Sequence, residues 1–336
     1  MLEALSPSSP HSIPRSVSPY IASLMSMLSI KPVVIMGATG TGKTKLSIDV
    51  SKVISGEVVN ADKMQIYSGL DITTNKVRLN DQHGIPHHLI GAISAITDDV
   101  SIPLFRSAAT KITESIVRRG HIPVLVGGSN SLIHGFLVDK LDASLIDPFA
   151  VESYRPTLRF QSCLLWIQCD EVVLKKYLSR RVDDMVDAGL VKELKEYFDS
   201  VSIHESVGYS GLARAIGVPE LREYFAGRKS LCDSIKEMKS NTQALAEAQI
   251  AKIRHIVDIW GWPVYSLDAT ETIRSHITGS NHTATTIAWE RDVRRPALTI
   301  INEFLGRWCL CGCSCGCQKA LIQELRSLLV PECVVV

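Results

Sequence analysis

The chain has 336 residues, of which 46% are hydrophobic and 21% charged. That composition supplies enough apolar surface for a core and excludes a wholly disordered chain, while 21 Gly and 14 Pro exclude collagen-like and Gly/Pro-rich low-complexity readings. The 36 basic and 35 acidic residues leave a net charge of +1, without the basic excess of a dedicated nucleic-acid binder, and no purely apolar run reaches the ~18 residues of a spanning helix.

Residues 1–30 carry nine serines and four prolines but only Glu3 and Arg15 as acid and base. High serine and low acidity suit an organelle transit peptide, a plastid one above all. A disordered extension on a cytoplasmic protein is the alternative. Secretion fits poorly, because Ser23, Ser26 and Ser29 interrupt the one apolar stretch. The body holds only three scattered cysteines, Cys163, Cys169 and Cys232, which reads as a reduced protein rather than a disulfide scaffold.

The ordered body is expected to begin at residue 31. Residues 32–36 read as a buried parallel strand, 43–54 as a helix, and 57–62 as a second strand ending in an acid. Helical periodicity over 104–119 stops at Gly120. Residues 123–126 and 164–167 are further strands. A helix pair broken near Gly189 spans 171–199, and a long helix spans 229–259. Residues 264–267 form the last strand, the threonine-rich 270–286 a loop, and 287–305 a helix. Strands alternating with helices predict an α/β fold, a parallel sheet covered on both faces. We divide it into a core over 31–180, completed by about 250–270, a smaller helical lobe over 181–250, and a C-terminal helix and tail over 271–336.

Gly37-Ala-Thr39-Gly40-Thr-Gly42-Lys43-Thr44 matches the phosphate-binding loop G-x-x-x-x-G-K-[ST], with a strand before it and a helix after it. Its glycines let backbone N–H groups turn toward a phosphate, and the helix N-terminus adds positive potential. Lys43 is expected to reach phosphate oxygens, and Thr44 to offer its hydroxyl to Mg²⁺. The loop alone does not name the ligand, and a P-loop kinase or ATPase is open at this point. Asp62, at the carboxyl end of the second strand, is expected to face the site as a general base. Its other role would be to cap the next turn.

Further segments resemble the isopentenyltransferases, in the family's order over roughly residues 31–305. They are Val58-Val-Asn-Ala-Asp62-Lys-Met-Gln65, Gly69-Leu-Asp71-Ile-Thr-Thr74-Asn-Lys76, Gly84-Ile-Pro86-His-His88, Gly127-Gly-Ser129-Asn-Ser131, Arg181-Val-Asp-Asp-Met185 and Arg214-Ala-Ile-Gly217. Trp289-Glu-Arg-Asp-Val293 is similar to the C-terminal element of plant members. The resemblance implies transfer of a dimethylallyl group from dimethylallyl diphosphate to N6 of adenine. The acceptor is either a free adenine nucleotide, giving cytokinin precursors, or tRNA. The implied roles are Asp62 as base, Lys43, Arg181 and Arg214 as partners of the departing diphosphate, and Thr39 and Ser129 as orienting hydroxyls. His87 and His88 match the family but could only shape a loop.

Two features favour the free nucleotide. Only residues 139–160 separate the Gly-Gly-Ser element from the next strand, too few for an RNA-clasping insertion. The tRNA enzymes' basic Thr-Arg-x-Leu-Ala-Lys-Arg-Gln helix corresponds here to Thr242-Gln243-Ala-Leu-Ala-Glu247-Ala248-Gln249, which lacks the cations RNA affinity rests on. No nucleic-acid partner is therefore expected; a monomer is the expected state, although nothing in the sequence fixes it. Lys236, Lys239, Lys252 and Arg254 could hold acceptor phosphates or form a solvated face. Leu132 and Gln168 depart from the plant pattern near the expected site. Residues 100–106 depart too, at an expected helix start. The tail adds alternating thiols at Cys309, Cys311, Cys313, Cys315 and Cys317, open to soft metals, acylation or disorder, and a C-a-a-X-like end at Cys333.

Overall fold

The computed structural model describes residues 30–94, 99–142, 144–145, 147–202, 211–279 and 281–306. The serine-rich residues 1–29, the cysteine run from Cys309 to Cys317, and Cys333 lie outside them. Six strands form one sheet: β1 Val33–Gly37, β2 Gly56–Asn60, β3 His87–His88, β4 Ile122–Val126, β5 Cys163–Gln168 and β6 Val264–Asp268. Every pairing is parallel, in the order β3-β2-β4-β1-β5-β6.

β1 shows why the strands read as continuous apolar runs. Successive side chains alternate between faces, and both faces are buried. Val34 and Met36 join Val59, Leu125 and Leu164 in one core, while Val33 and Ile35 join Val58, Val124 and Leu165 in the other. Helix α1, Lys43–Ile54, covers the second face with Leu46, Val50 and Ile54. Helix α2, Ile102–Arg118, covers the first with Phe105, Ala109 and Ile116. It starts two residues before the predicted position, because the Ser101 hydroxyl accepts the Leu104 N–H and Pro103 fits the first turn.

Helix α3, Asn130–Leu137, follows β4. Helices α4, Glu171–Asp187, and α5, Leu190–Ser202, are parted at Gly189 as expected. Gly189 has a φ of 105°, a conformation that suits glycine. Helix α6 is Val218–Phe225 and helix α7 is Leu231–Asp258. The Ser230 hydroxyl starts α7 by accepting the Asp233 N–H at 3.1 Å.

Three expectations need correction. The second strand ends at Asn60, so Asp62 lies in the turn beyond it. That turn is built by Asn60, whose Oδ1 accepts the Asp62 N–H and whose Nδ2 donates to the Asp62 carbonyl. The two-residue β3 was not foreseen, being too short to show an alternating pattern. The expected loop over 270–286 is instead two helices, α8 Thr270–Thr278 and α9 His282–Trp289. Its hydroxyls fold back onto the backbone, Thr278 onto Arg274 and Thr286 onto His282, while Ile273, Ala288 and Trp289 bury. A π-helical turn over Glu290–Arg294 leads into α10, Arg295–Phe304. No helix among the described residues is long and apolar enough to cross a membrane.

His134, 2% exposed, sits among Phe149, Tyr154, Trp260 and Trp262. Burial, helped by the charge of Arg106, pushes its pKa from 6.5 down to about 4. The folded state therefore holds this ring neutral while the unfolded chain protonates it. Stability should be full above pH 6.5 and fall as pH drops toward 4, by roughly 3 kcal/mol at the limit. Denaturant midpoints measured from pH 7.5 to pH 4.5 should show this slope, and His134→Phe should flatten it.

Candidate active site

The phosphate loop joins β1 to α1. Gly40 and Gly42 have φ of 82° and 94°, left-handed conformations that a side chain would strain. The Thr41 hydroxyl and the Lys43 ammonium both donate to the Ala38 carbonyl, at 2.9 and 2.7 Å, and hold the loop curled. Lys43 lies partly buried on the cleft floor. Loss of hydration lowers its pKa from 10.5 to about 8; Asp62 opposes that shift and Arg181 adds to it.

Two elements distant in sequence fix the loop from α7 and α4. Gln249 of α7 accepts the Thr39 N–H at 2.8 Å through Oε1 and donates to the Gly128 carbonyl at 3.0 Å through Nε2. Arg181 of α4 donates to the Thr39 hydroxyl at 3.1 Å. Burial lowers the Arg181 pKa, with Tyr177 and Asp62 opposing, and a guanidinium there remains charged. Asp62 Oδ1 accepts the Met64 N–H at 3.1 Å, so Asp62 also caps its turn. Ser129 Oγ accepts the Lys63 N–H at 2.9 Å and pins the backbone beside Asp62.

Two cavities meet at these residues. The first, about 510 Å³, is lined by Lys43 and Thr44 on the loop side and by Gln65, Lys76 and Arg78 opposite. The second, about 320 Å³, is lined by Ser129, Val182, Met185, Arg214, Met238 and Leu245. Thr39, Asp62 and Arg181 line both, and so form their common wall. Thr74 and Asn75 also line both cavities, and their segment is tied down twice. Gln65 Nε2 donates to both of their carbonyls. The Glu193 carboxylate of α5 accepts from Ile72 N–H, Thr73 N–H and the Thr73 hydroxyl.

Of the residues singled out from sequence, Gly40, Gly42, Lys43, Thr44, Thr39, Asp62 and Arg181 converge. Gly37 is set back, because a Cβ there would meet the Ile167 carbonyl at 2.7 Å. Arg214 does not join the phosphate loop; it faces the second cavity and pairs with Asp99, as Lys63 does. Lys236, Lys239, Lys252 and Arg254 pair with Asp233, Asp183, Asp147 and Glu171 and line neither cavity. His88 anchors β3 through Glu57 at 2.7 Å, whereas His87 lines the first cavity. Leu132 is buried in the core and Gln168 ends β5, so neither departure lies on the two cavities. Sequence reasoning assigned no role to Gln249, Lys76 or Arg78. Gln249 could have been noticed as an amide retained in a helix that otherwise lost its cations.

No group of three or more His, Cys, Asp and Glu fit to hold a metal occurs among the described residues. A hydroxyl beside a phosphate cradle is nonetheless the donor set Mg²⁺ uses, since that ion keeps few protein ligands and takes substrate oxygens and water. Thr44 lines the first cavity and fits this role.

A family model described as IPP transferase matches residues 65–145 and 143–255. An adenylate isopentenyltransferase of Humulus lupulus is 40% identical over 294 residues, covering 81% of this chain and 89% of that protein. Adenylate isopentenyltransferase 1, chloroplastic, of Arabidopsis thaliana is 37% identical, covering 82% and 81%. Among solved structures, a eukaryotic dimethylallyltransferase acting on tRNA superposes with a TM-score of 0.70 at 24% identity, covering 88% of this chain and 84% of that one. A tRNA isopentenylpyrophosphate transferase of Bacillus halodurans gives 0.59 at 26%, covering 77% and 98%.

The depressed Lys43 pKa makes anion binding pH-dependent. An anion stabilises the ammonium, so affinity should be full below pH 8 and fall up to about tenfold per pH unit above it. Calorimetric titration with an organic diphosphate monoester, fully ionised in this range, should show the fall. Lys43→Arg should remove it.

Proposed function

The chain belongs to the IPP transferase family, and on that premise we propose that it is an adenylate dimethylallyltransferase. It moves the prenyl group of dimethylallyl diphosphate to N6 of a free adenine nucleotide, AMP, ADP or ATP. The carrying observation is the shared wall of Thr39, Asp62 and Arg181 between a phosphate-binding cavity and a more apolar one. A donor anchored at Lys43 and an adenine entering from the other side would meet there.

The reaction forms an N6–C1 bond, breaks the C1–oxygen bond of the donor and releases diphosphate. Lys43 and Arg181 counter the charge that grows on the departing oxygens. The Mg²⁺ that Thr44 and the donor's own oxygens would hold supplies further charge neutralisation to that leaving group. Asp62 accepts the N6 proton. Among the described residues its Oδ2 receives no hydrogen bond, so it has a free oxygen for this step. The adenine amine is a poor base, because its lone pair is delocalised into the ring, and deprotonation helps only as attack proceeds. Met185, Met238 and Leu245 keep water from an allyl fragment with cationic character.

Three observations support a nucleotide over tRNA. The relatives at 34–40% identity bear the name adenylate isopentenyltransferase. Residues Thr242, Leu245 and Gln249 of α7, which line the second cavity, are uncharged. The described part of 139–160 contains only a short 3₁₀ turn, Pro148–Ala150. Chloroplastic names among the relatives, beside one mitochondrial name, and the serine-rich residues 1–30 support a plastid protein.

The test is a mass-resolved assay with dimethylallyl diphosphate, Mg²⁺ and, separately, AMP, ADP, ATP and unmodified tRNA. Prenylated free nucleotide is expected. Asp62→Asn should lower kcat by about 10²-fold or more. Prenylated tRNA alone would overturn the choice of acceptor, and phosphate release without prenyl transfer would overturn the reaction.

A further inference from the structure

The phosphate loop has a backing that lies outside both cavities of the site. A Cβ on Gly42 would come within 2.9 Å of Trp289 Cζ3 and 3.0 Å of Cη2, so the indole edge rests directly on that residue. Gly42 is the left-handed N-cap of α1, immediately before Lys43 and Thr44. The indole is held by two residues of α1. Its Nε1–H donates to Asp49 Oδ2 at 2.7 Å. Lys45 reaches the same oxygen at 2.9 Å, and its ammonium lies 4.9 Å from the ring centroid. Lys45 and Asp49 are one turn apart on α1, so the indole grips the loop and the start of that helix together.

Trp289 is itself immobilised. It is 3% exposed, and the chain after it buries Val293, Ala297 and Ile301 in the same core. Trp289 lines neither cavity that shares the Asp62 wall; it lines a separate cavity of about 410 Å³ with Gly40, Gly42 and Lys45. An anion-binding loop works by holding inward N–H groups in a strained, mutually repelling arrangement before the anion arrives. Without a backing, the loop relaxes and anion binding must reorder it, which weakens affinity.

We infer that Trp289 is a positioning residue for the donor diphosphate. It presets the Gly42–Thr44 backbone from the C-terminal helices. The inference rests on the reading that this loop holds the donor diphosphate, and it concerns the donor alone.

The experiment measures binding of inorganic diphosphate by calorimetry, together with KM for donor and acceptor, in the full chain and three variants. Trp289→Leu should raise the diphosphate Kd and the donor KM by about tenfold, with acceptor KM and kcat at saturation within about twofold. Trp289→Phe keeps a ring over Gly42 and should retain most of the affinity. Ile301→Ala cuts a cavity in the same core away from the loop. It should lower thermal stability as Trp289→Leu does, yet leave diphosphate affinity unchanged. In the wild type, diphosphate should perturb the fluorescence of Trp289, and Trp289→Phe should remove that signal. Equal loss of affinity in Trp289→Leu and Ile301→Ala would overturn the inference, as would an unchanged Kd in Trp289→Leu. Diphosphate binding that depends on Trp289 in a chain that transfers no prenyl group would sink the proposed reaction and leave the loop's backing standing.

Discussion

The site depends on one side-chain amide. Gln249 is 9% exposed, and both ends of its amide are used, one on the phosphate loop and one on the Gly-Gly turn after β4. Its backbone carbonyl also accepts from Asn130 at the start of α3. A single residue of α7 thus fixes the spacing between the loop that binds phosphate and the turn that abuts Asp62. Removing it would leave the buried Gly128 carbonyl unpaired, at about 1–3 kcal/mol, and free the half-buried Thr39 N–H. The fit also explains a sequence constraint. Any side chain on Gly128 would collide with this amide, since a Cβ there lies 2.4 Å from Nε2.

Around that clamp, charge is arranged by cavity. The first holds Lys43, Lys76, Arg78 and Arg181 together with Asp62, Asp71 and Asp184, and Lys76 pairs with Asp71 at 2.9 Å. The second is mostly apolar, and its outer cations, Lys63 and Arg214, are partly neutralised by Asp99. Asp62 lies between them, near enough to Lys43 and Arg181 to act on both.

What the sequence made legible follows from how local each signal is. The phosphate loop is a contiguous run with fixed spacing, and its strand and helix were placed correctly. Strands β1, β4, β5 and β6 are short apolar runs bounded by turn residues, and they were legible for the same reason. The segment 270–286 misled because its threonines satisfy the backbone within a helix, and because Trp289 and Ile273 bury through contacts far away in the chain. Gln249 and Trp289 stand in the segments singled out from sequence, but what they touch could not be read there. Their partners lie 210 and 240 residues away, and no local pattern records a long-range contact. Arg214 shows the reverse case. Its motif was recognised, but the turn carrying it faces the second cavity, not the phosphate cradle.

Glu193 ties the segment beside the two cavities to a helix. Three hydrogen bonds from residues 72 and 73 converge on one carboxylate of α5, and the next residues, Thr74 and Asn75, line both cavities. The segment that lines both cavities is thus tied to a whole helix, and loss of the one Glu193 carboxylate would leave three donors without their acceptor at once.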